Sequence, residues 1–189
     1  MKIAIGCDPN AQQAKEELIK FMEDKGYGEI EDFGSEDPIY ANTAVAVAEA
    51  VASGEYDRGI LICGTGLGVS IAANKVKGAY ATLLSDVYSA KRARLSNDAN
   101  IACMGAFTIG NKLREELTDA FLTNEFVPGC SSQPKVDAFR DYDEWDSLAR
   151  LTLIAEIDDK YNIVIEEEAF KNAITLGDLL NEIIKRTQA

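Results

Sequence analysis

The sequence predicts an α/β domain with a five-stranded parallel sheet, followed by a small all-α appendage. Through residues 1 to about 136, short apolar runs alternate with segments of helical periodicity. A strict strand–helix order calls for a parallel sheet covered by helices on both faces. From Val127 the turn-rich stretch VPGCSSQP interrupts this pattern, and only helical patterns follow. The division therefore falls between residues 1–136 and residues 137–189.

The apolar runs are Lys2–Gly6, Glu29–Phe33, Gly59–Cys63, Gly78–Leu83 and Ile101–Met104. Ala11–Gly26 carries Leu18 and Met22 one turn apart, and Ala41–Ser53 carries Ala44, Val47 and Val51, so each has one apolar face. Leu67–Val76, Val87–Leu95 and Asn111–Asn124 complete the helices of the first part. Crossovers between parallel strands are right-handed, and sites in such sheets lie at the carboxyl ends of strands, near a switch in strand order. In the appendage, Trp145–Tyr161, Ala169–Ala173 and Leu176–Arg186 read as helical.

The chain has 189 residues, 47% of them hydrophobic, which reads as a soluble globular protein with a real core. No stretch is apolar for long enough to span a bilayer. Met1–Gly6 enters a strand directly and is unlike a signal peptide, so a cytoplasmic location is expected. The net charge of −13 argues against a nucleic-acid partner, because a phosphate backbone would be repelled. The four cysteines, Cys7, Cys63, Cys103 and Cys130, lack paired spacing and are expected as free thiols. The chain has no histidine, which removes the usual zinc ligand and the commonest general base; no metal is expected.

The chemistry concentrates after the third strand. Ile60-Leu61-Ile62-Cys63 is followed by Gly64-Thr65-Gly66-Leu67-Gly68-Val69-Ser70 and then a helix. Glycines there let backbone approach a ligand closely, and N–H groups at the turn can face an anion or a developing oxyanion. A thiol beside them can act as a base. Two other readings stand beside this one. A dinucleotide fingerprint would need its third glycine where Val69 stands, with Asp86 as the ribose acid. A plain tight turn would leave Cys63 buried and inert.

Residues 60–75, ILICGTGLGVSIAANK, resemble the signature of the ribose-5-phosphate isomerase B and galactose-6-phosphate isomerase family. The likeness extends over MKIAIGCD, AVAEAVASGEYDRG, SDVYSA, NDAN at Asn97–Asn100, and DAFLTNEF. It implies a Rossmann-like three-layer domain that dimerises, each site being completed by the neighbouring subunit. It also implies an aldose–ketose isomerisation through an enediolate, without a cofactor. Cys63 matches the base and Thr65 the residue that assists at the hydroxyls. Gly64, Gly66, Gly68 and Ser70 match the loop that holds the oxyanion, with help from Asn97, and Asp8 matches the aspartate that contacts substrate hydroxyls.

The chain also departs from that pattern. Pro9 and Ser96 stand where the family usually has histidines, the second of which opens the sugar ring. Phe107 stands in place of an arginine, and Cys130–Pro134 replaces a basic phosphate-binding cluster, leaving Lys135. Three readings follow: an open-chain or unphosphorylated substrate, groups supplied by a partner subunit, or lost activity. Arg92 and Arg94, next to Lys91, are expected on a solvated helix face rather than as a new phosphate anchor.

Residues 139–184 resemble the second half of acyl carrier proteins, in Asp146-Ser147-Leu148, the acidic Glu156-Ile157-Asp158-Asp159, and Thr175–Leu179. That likeness implies a phosphopantetheine arm on Ser147 and a docking face for basic partner enzymes. The plain alternative is a capped amphipathic helix, with Leu148, Leu151, Ile154 and Ile157 on one face, in an appendage that docks or dimerises.

Overall fold

The computed structural model describes residues 1–34, 36–144, 147–161, 163 and 176–187. The chain divides into two compact units, Met1–Ala138 and Phe139–Ala189.

The first unit holds β1 (Lys2–Cys7), β2 (Glu29–Asp32), β3 (Arg58–Cys63), β4 (Ala81–Leu83) and β5 (Ile101–Gly105). The strands form one parallel sheet in the order β2-β1-β3-β5-β4. The helices are α1 (Gln12–Lys25), α2 (Tyr40–Ala52), α3 (Leu67–Ala73), α4 (Val87–Leu95) and α5 (Asn111–Thr123). On one face, Ile3, Ile5, Ile60, Ile62 and Met104 pack with Leu18 and Met22 of α1, Ala90 and Ala93 of α4, and Leu117 and Phe121 of α5. On the other, Ala4, Leu61, Ile101 and Cys103 pack with Ala44, Val47 and Val51 of α2 and Val69 and Ala73 of α3. The continuous apolar runs of β1, β3 and β5 thus serve two cores at once, as expected of a sheet buried on both faces.

Most boundaries fall within one residue of expectation, and two differ by three residues because asparagines intervene. β4 begins at Ala81 rather than Gly78: the Asn100 side chain accepts from the Tyr80 N–H and donates to the Gly78 carbonyl, taking the place of ladder bonds. α3 stops at Ala73 because the Asn74 amide folds back onto the carbonyls of Ser70 and Ala81. Pro9–Ala11 forms a short 3₁₀ turn, capped by Asp8 accepting from the Asn10 N–H at 2.8 Å.

Strand order reverses between β1 and β3, so the crevice that position predicts opens above the tips of these two strands. Asp8 and Cys63 stand there, tied together by the Asp8 N–H bond to the Ile62 carbonyl at 3.0 Å.

α6 (Gln133–Glu144) begins inside the stretch read as a break and crosses residue 138. The second unit contains α7 (Ser147–Tyr161) and α8 (Leu176–Thr187). Leu153, Ile157, Leu180 and Ile183 line a groove of about 400 Å³ within this unit, together with Glu156, Lys160 and Tyr161. Trp145, Asp146 and the predicted helix Ala169–Ala173 lie outside the described residues. Among the described residues, no helix is long and apolar enough to cross a membrane.

Candidate active site

Cys63 ends β3 as a buried thiol, and the Gly66 N–H donates to its Sγ at 3.1 Å. The turn that makes this bond is held by close backbone packing. Gly66 has φ +80°, and a methyl group there would stand 2.8 Å from the Met104 carbonyl carbon, so only glycine fits. The carbonyls of Cys63 and Gly64 accept from the N–H groups of Ala106 and Phe107 at 2.8 and 2.9 Å. The segment after β5 therefore clamps the turn from one side.

Gly105 makes that clamp possible. It lies beside Cys63 in the β3–β5 register, and a methyl group there would stand 2.8 Å from the Thr65 backbone and collide with the Thr108 hydroxyl. From the other side, a methyl group on Gly68 would meet the Tyr40 ring at 2.6 Å and press on its hydroxyl. Gly105 and Tyr40 were not among the residues sequence reasoning selected. A glycine closing the strand next to Cys63's strand was the available signal for the first; Tyr40 had none, because its approach is tertiary.

Thr65 is exposed, and its hydroxyl accepts from the Leu67 N–H at 3.4 Å. The N–H groups of Gly68 and Val69 have no partner among the described residues. Ser70 is different. Its N–H is bonded to the Gly66 carbonyl, and its hydroxyl points inward, to the Ala81 carbonyl at 3.5 Å and to the Cys103 thiol. In this structure the polar atoms of Ser70 tie α3 to β4 and β5. Burial pushes the Cys103 thiol far up, so it stays protonated and is no competing base. Asp8 is buried, with one carboxylate oxygen committed to its cap.

Asp8, Cys63, Gly64, Thr65, Gly66 and Gly68 thus share the carboxyl edge of the sheet. Asn97 does not join them. It sits in the turn between α4 and β5, where Asn100 bonds to Gly59 at the start of β3. The length of β5, five residues or about 16 Å, separates that turn from the thiol edge.

The arginine expectation is half overturned. Arg92 is exposed, but Arg94 is only 3% exposed. Its guanidinium donates to the Ala99 carbonyl, pairs with Asp98 at 2.9 Å and lies 5.9 Å from the Phe121 ring centroid. Burial, then the neighbouring Arg58, push it below its ordinary value. Phe107 is exposed, with its ring against Gly64, and Lys135 is exposed. Ser147 opens α7, but its side chain lies outside the described residues.

A groove of about 650 Å³ lies between α1, α4 and α5, lined by Phe21, Val87 and Ala120 with Lys25, Lys91 and Asp119 among its polar walls. It contains none of the thiol-turn residues. Among the described residues, no cluster of histidine, cysteine or carboxylate side chains could hold a metal ion.

The ribose/galactose isomerase family model matches residues 3–139. A ribose-5-P isomerase B from Listeria innocua is 48% identical over 147 residues, covering 76% of this chain and 98% of the relative. D-erythrulose-4-phosphate isomerase 2 from Mycolicibacterium smegmatis is 47% identical over 142 residues, 72% of this chain and 93% of the relative. The solved ribose-5-phosphate isomerase B of Clostridium thermocellum superposes with a TM-score of 0.72 at 41% identity, over 76% of this chain and 98% of that one. The chain therefore belongs to the ribose/galactose isomerase family.

Proposed function

We propose that the protein is an aldose–ketose isomerase acting on an open-chain sugar phosphate, with Cys63 as the base. The observation that carries this reading is the buried thiol at the tip of β3, accepting an N–H bond at 3.1 Å and flanked by unpartnered turn amides. The Cys63 thiolate takes the proton from the carbon beside the carbonyl. The C–H electrons become the enediolate double bond, and charge collects on the former carbonyl oxygen. Turn amides and Asn97 hold that charge, and Thr65 carries the hydroxyl proton between the two oxygens. Cys63 returns its proton to the neighbouring carbon, so no atom or electron is gained or lost and no cofactor is needed.

Because the length of β5, about 16 Å, lies between the Asn97 turn and the thiol edge, Asn97 would reach a thiol from a second copy of the chain. The reading therefore includes a homodimer with shared sites. Exposed apolar residues around the thiol edge, Leu67, Ile71, Leu83, Tyr88 and Phe107, suit such an interface.

Ser96 and Pro9 stand where the family has histidines, which favours a substrate that needs no ring opening. A four-carbon ketose or aldose with phosphate on its terminal oxygen meets this need: that oxygen is esterified, and no other hydroxyl can close a five-membered ring. The relative named for erythrulose-4-phosphate supports this class. The reaction belongs in the cytoplasm, where free thiols persist.

Deuterium uptake from D₂O, followed by NMR, tests the reading. Erythrulose-4-phosphate should exchange faster than ribose-5-phosphate or unphosphorylated sugars, and Cys63→Ala should stop it. Exchange that survives Cys63→Ala, or none with any sugar, would overturn the reading.

A second reading concerns the tail. α7 begins at Ser147 and shares an apolar groove of about 400 Å³ with α8, a shape suited to a carrier segment whose Ser147 bears phosphopantetheine and whose acidic helix meets a basic enzyme. Incubation with coenzyme A and a phosphopantetheinyl transferase should then add one arm's mass, and Ser147→Ala should prevent it. No gain would leave the tail as a docking or dimerising appendage.

A further inference from the structure

The turn that carries Asn97 is built around a buried cation. Arg94, 3% exposed, reaches from the last turn of α4 to the Asp98 carboxylate at 2.9 Å and to the Ala99 carbonyl. Asp98 has φ +48°, the one positive φ outside glycine among the described residues. Non-glycine residues avoid that conformation unless their surroundings hold them there. Two backbone bonds close the same turn, from the Asp98 N–H to the Arg94 carbonyl and from the Ala99 N–H to the Ala93 carbonyl. The Phe121 ring packs near the guanidinium at 5.9 Å, fixing the arginine from beneath. Asn97, one residue before Asp98, is exposed.

We infer that Arg94, acting through Asp98 and the Ala99 carbonyl, is a positioning residue that aims Asn97 into the partner copy's thiol site. The inference rests on the shared-site reading above. Arg94 touches no substrate; its Nη1 serves the Asp98 carboxylate and the Ala99 carbonyl at once, and a lysine's ammonium, one bond shorter and without the guanidinium plane that lies near Phe121, falls short of that point.

Arg94→Lys should lower kcat about ten- to a hundredfold with KM within about twofold, since what is lost is an oxyanion donor's aim rather than substrate binding. Asp98→Asn, which tolerates the same φ and keeps an acceptor oxygen, should retain most of the activity, whereas Asp98→Ala should resemble Arg94→Lys. The deciding experiment mixes variants after unfolding and refolding. In a Cys63→Ala/Arg94→Lys heterodimer, one site pairs an intact Cys63 with an intact Arg94 frame. The mixture should recover about a quarter of wild-type activity per chain, from half the dimers with one working site each. A Cys63→Ala/Asn97→Ala mixture serves as the control.

Recovery in both mixtures supports the inference and also shows that the Arg94→Lys chain folds and dimerises. Recovery only in the Asn97 control overturns the Arg94 role while leaving the shared site intact. Recovery in neither mixture overturns the shared site itself. A KM rise without a kcat loss in Arg94→Lys would also sink the positioning role.

Discussion

The two edges of the sheet solve the problem of holding a reactive group in different ways. At the carboxyl edge, the Cys63 turn is shaped by absence: Gly66 and Gly105 leave room for backbone to meet backbone, and main-chain bonds from Ala106 and Phe107 lock the result. At the amino edge, the Asn97 turn is shaped by charge, with Arg94 buried against Asp98 and Phe121. The first device resists the addition of a single methyl group and is indifferent to ionisation. The second depends on one buried guanidinium finding acceptor oxygens, because a buried donor left without a partner is costly. The comparison teaches that one parallel sheet can present polar groups at its two ends through different devices, close backbone packing at one and a buried ion pair at the other.

The sharpest way to break the comparison is to remove the base. Cys63→Ala should lower kcat about 10²- to 10⁴-fold, the range of a positioned general base, while thermal unfolding shows the fold retained. At the other edge, Asn97→Ala should reduce kcat about 10²- to 10³-fold, as for a lost oxyanion donor, and being exposed it should change stability by less than about 0.5 kcal/mol. Equal activity in wild type and Asn97→Ala would remove the amino edge from the account. Gly105→Ala tests the packing device: the methyl must displace the Thr65 backbone, so a loss of about 1–3 kcal/mol is expected in urea unfolding, together with lower activity.

The smallest effect concerns a group outside both of these turns. Burial, then the hydrogen bond to Asp119, raise the Tyr27 phenol to about 12, above its ordinary value of 10.0. A raised phenol favours the folded state while protonated, so this contribution is complete below pH 10 and is lost as pH climbs from 10 towards 12. Tyr27→Phe should flatten that part of a melting-temperature profile and leave isomerisation at neutral pH unchanged. A steeper profile in the variant would reverse the assignment.

Much of the carboxyl edge was legible in the sequence, because its parts are contiguous. Residues 60–70 spell strand, thiol, glycines and helix in order, and the alternation of apolar runs fixes the parallel sheet that presents them. The walls of that turn were not legible: Gly105 and Tyr40 matter through contacts that only strand order and helix packing create. Arg94 was misread for a related reason. Beside Lys91 and Arg92 it resembles a solvated charge run, and only the tertiary approach of Phe121 and the αL bend at Asp98 make it a buried strut. The inward turn of the Ser70 hydroxyl to Cys103 was not legible either, because it depends on helical register. Asn97's place at the far edge follows from topology, since a helix returning from β4 must end where β5 begins.

The most direct test of the central claim, that each reacting site takes Cys63 from one copy and Asn97 from the other, is deuterium uptake by erythrulose-4-phosphate in a refolded one-to-one mixture of Cys63→Ala and Asn97→Ala chains. Each variant alone should be nearly inactive, and the mixture should regain about a quarter of the wild-type rate per chain. A mixture no more active than its two components would contradict the claim, because both groups would then serve the chain that bears them.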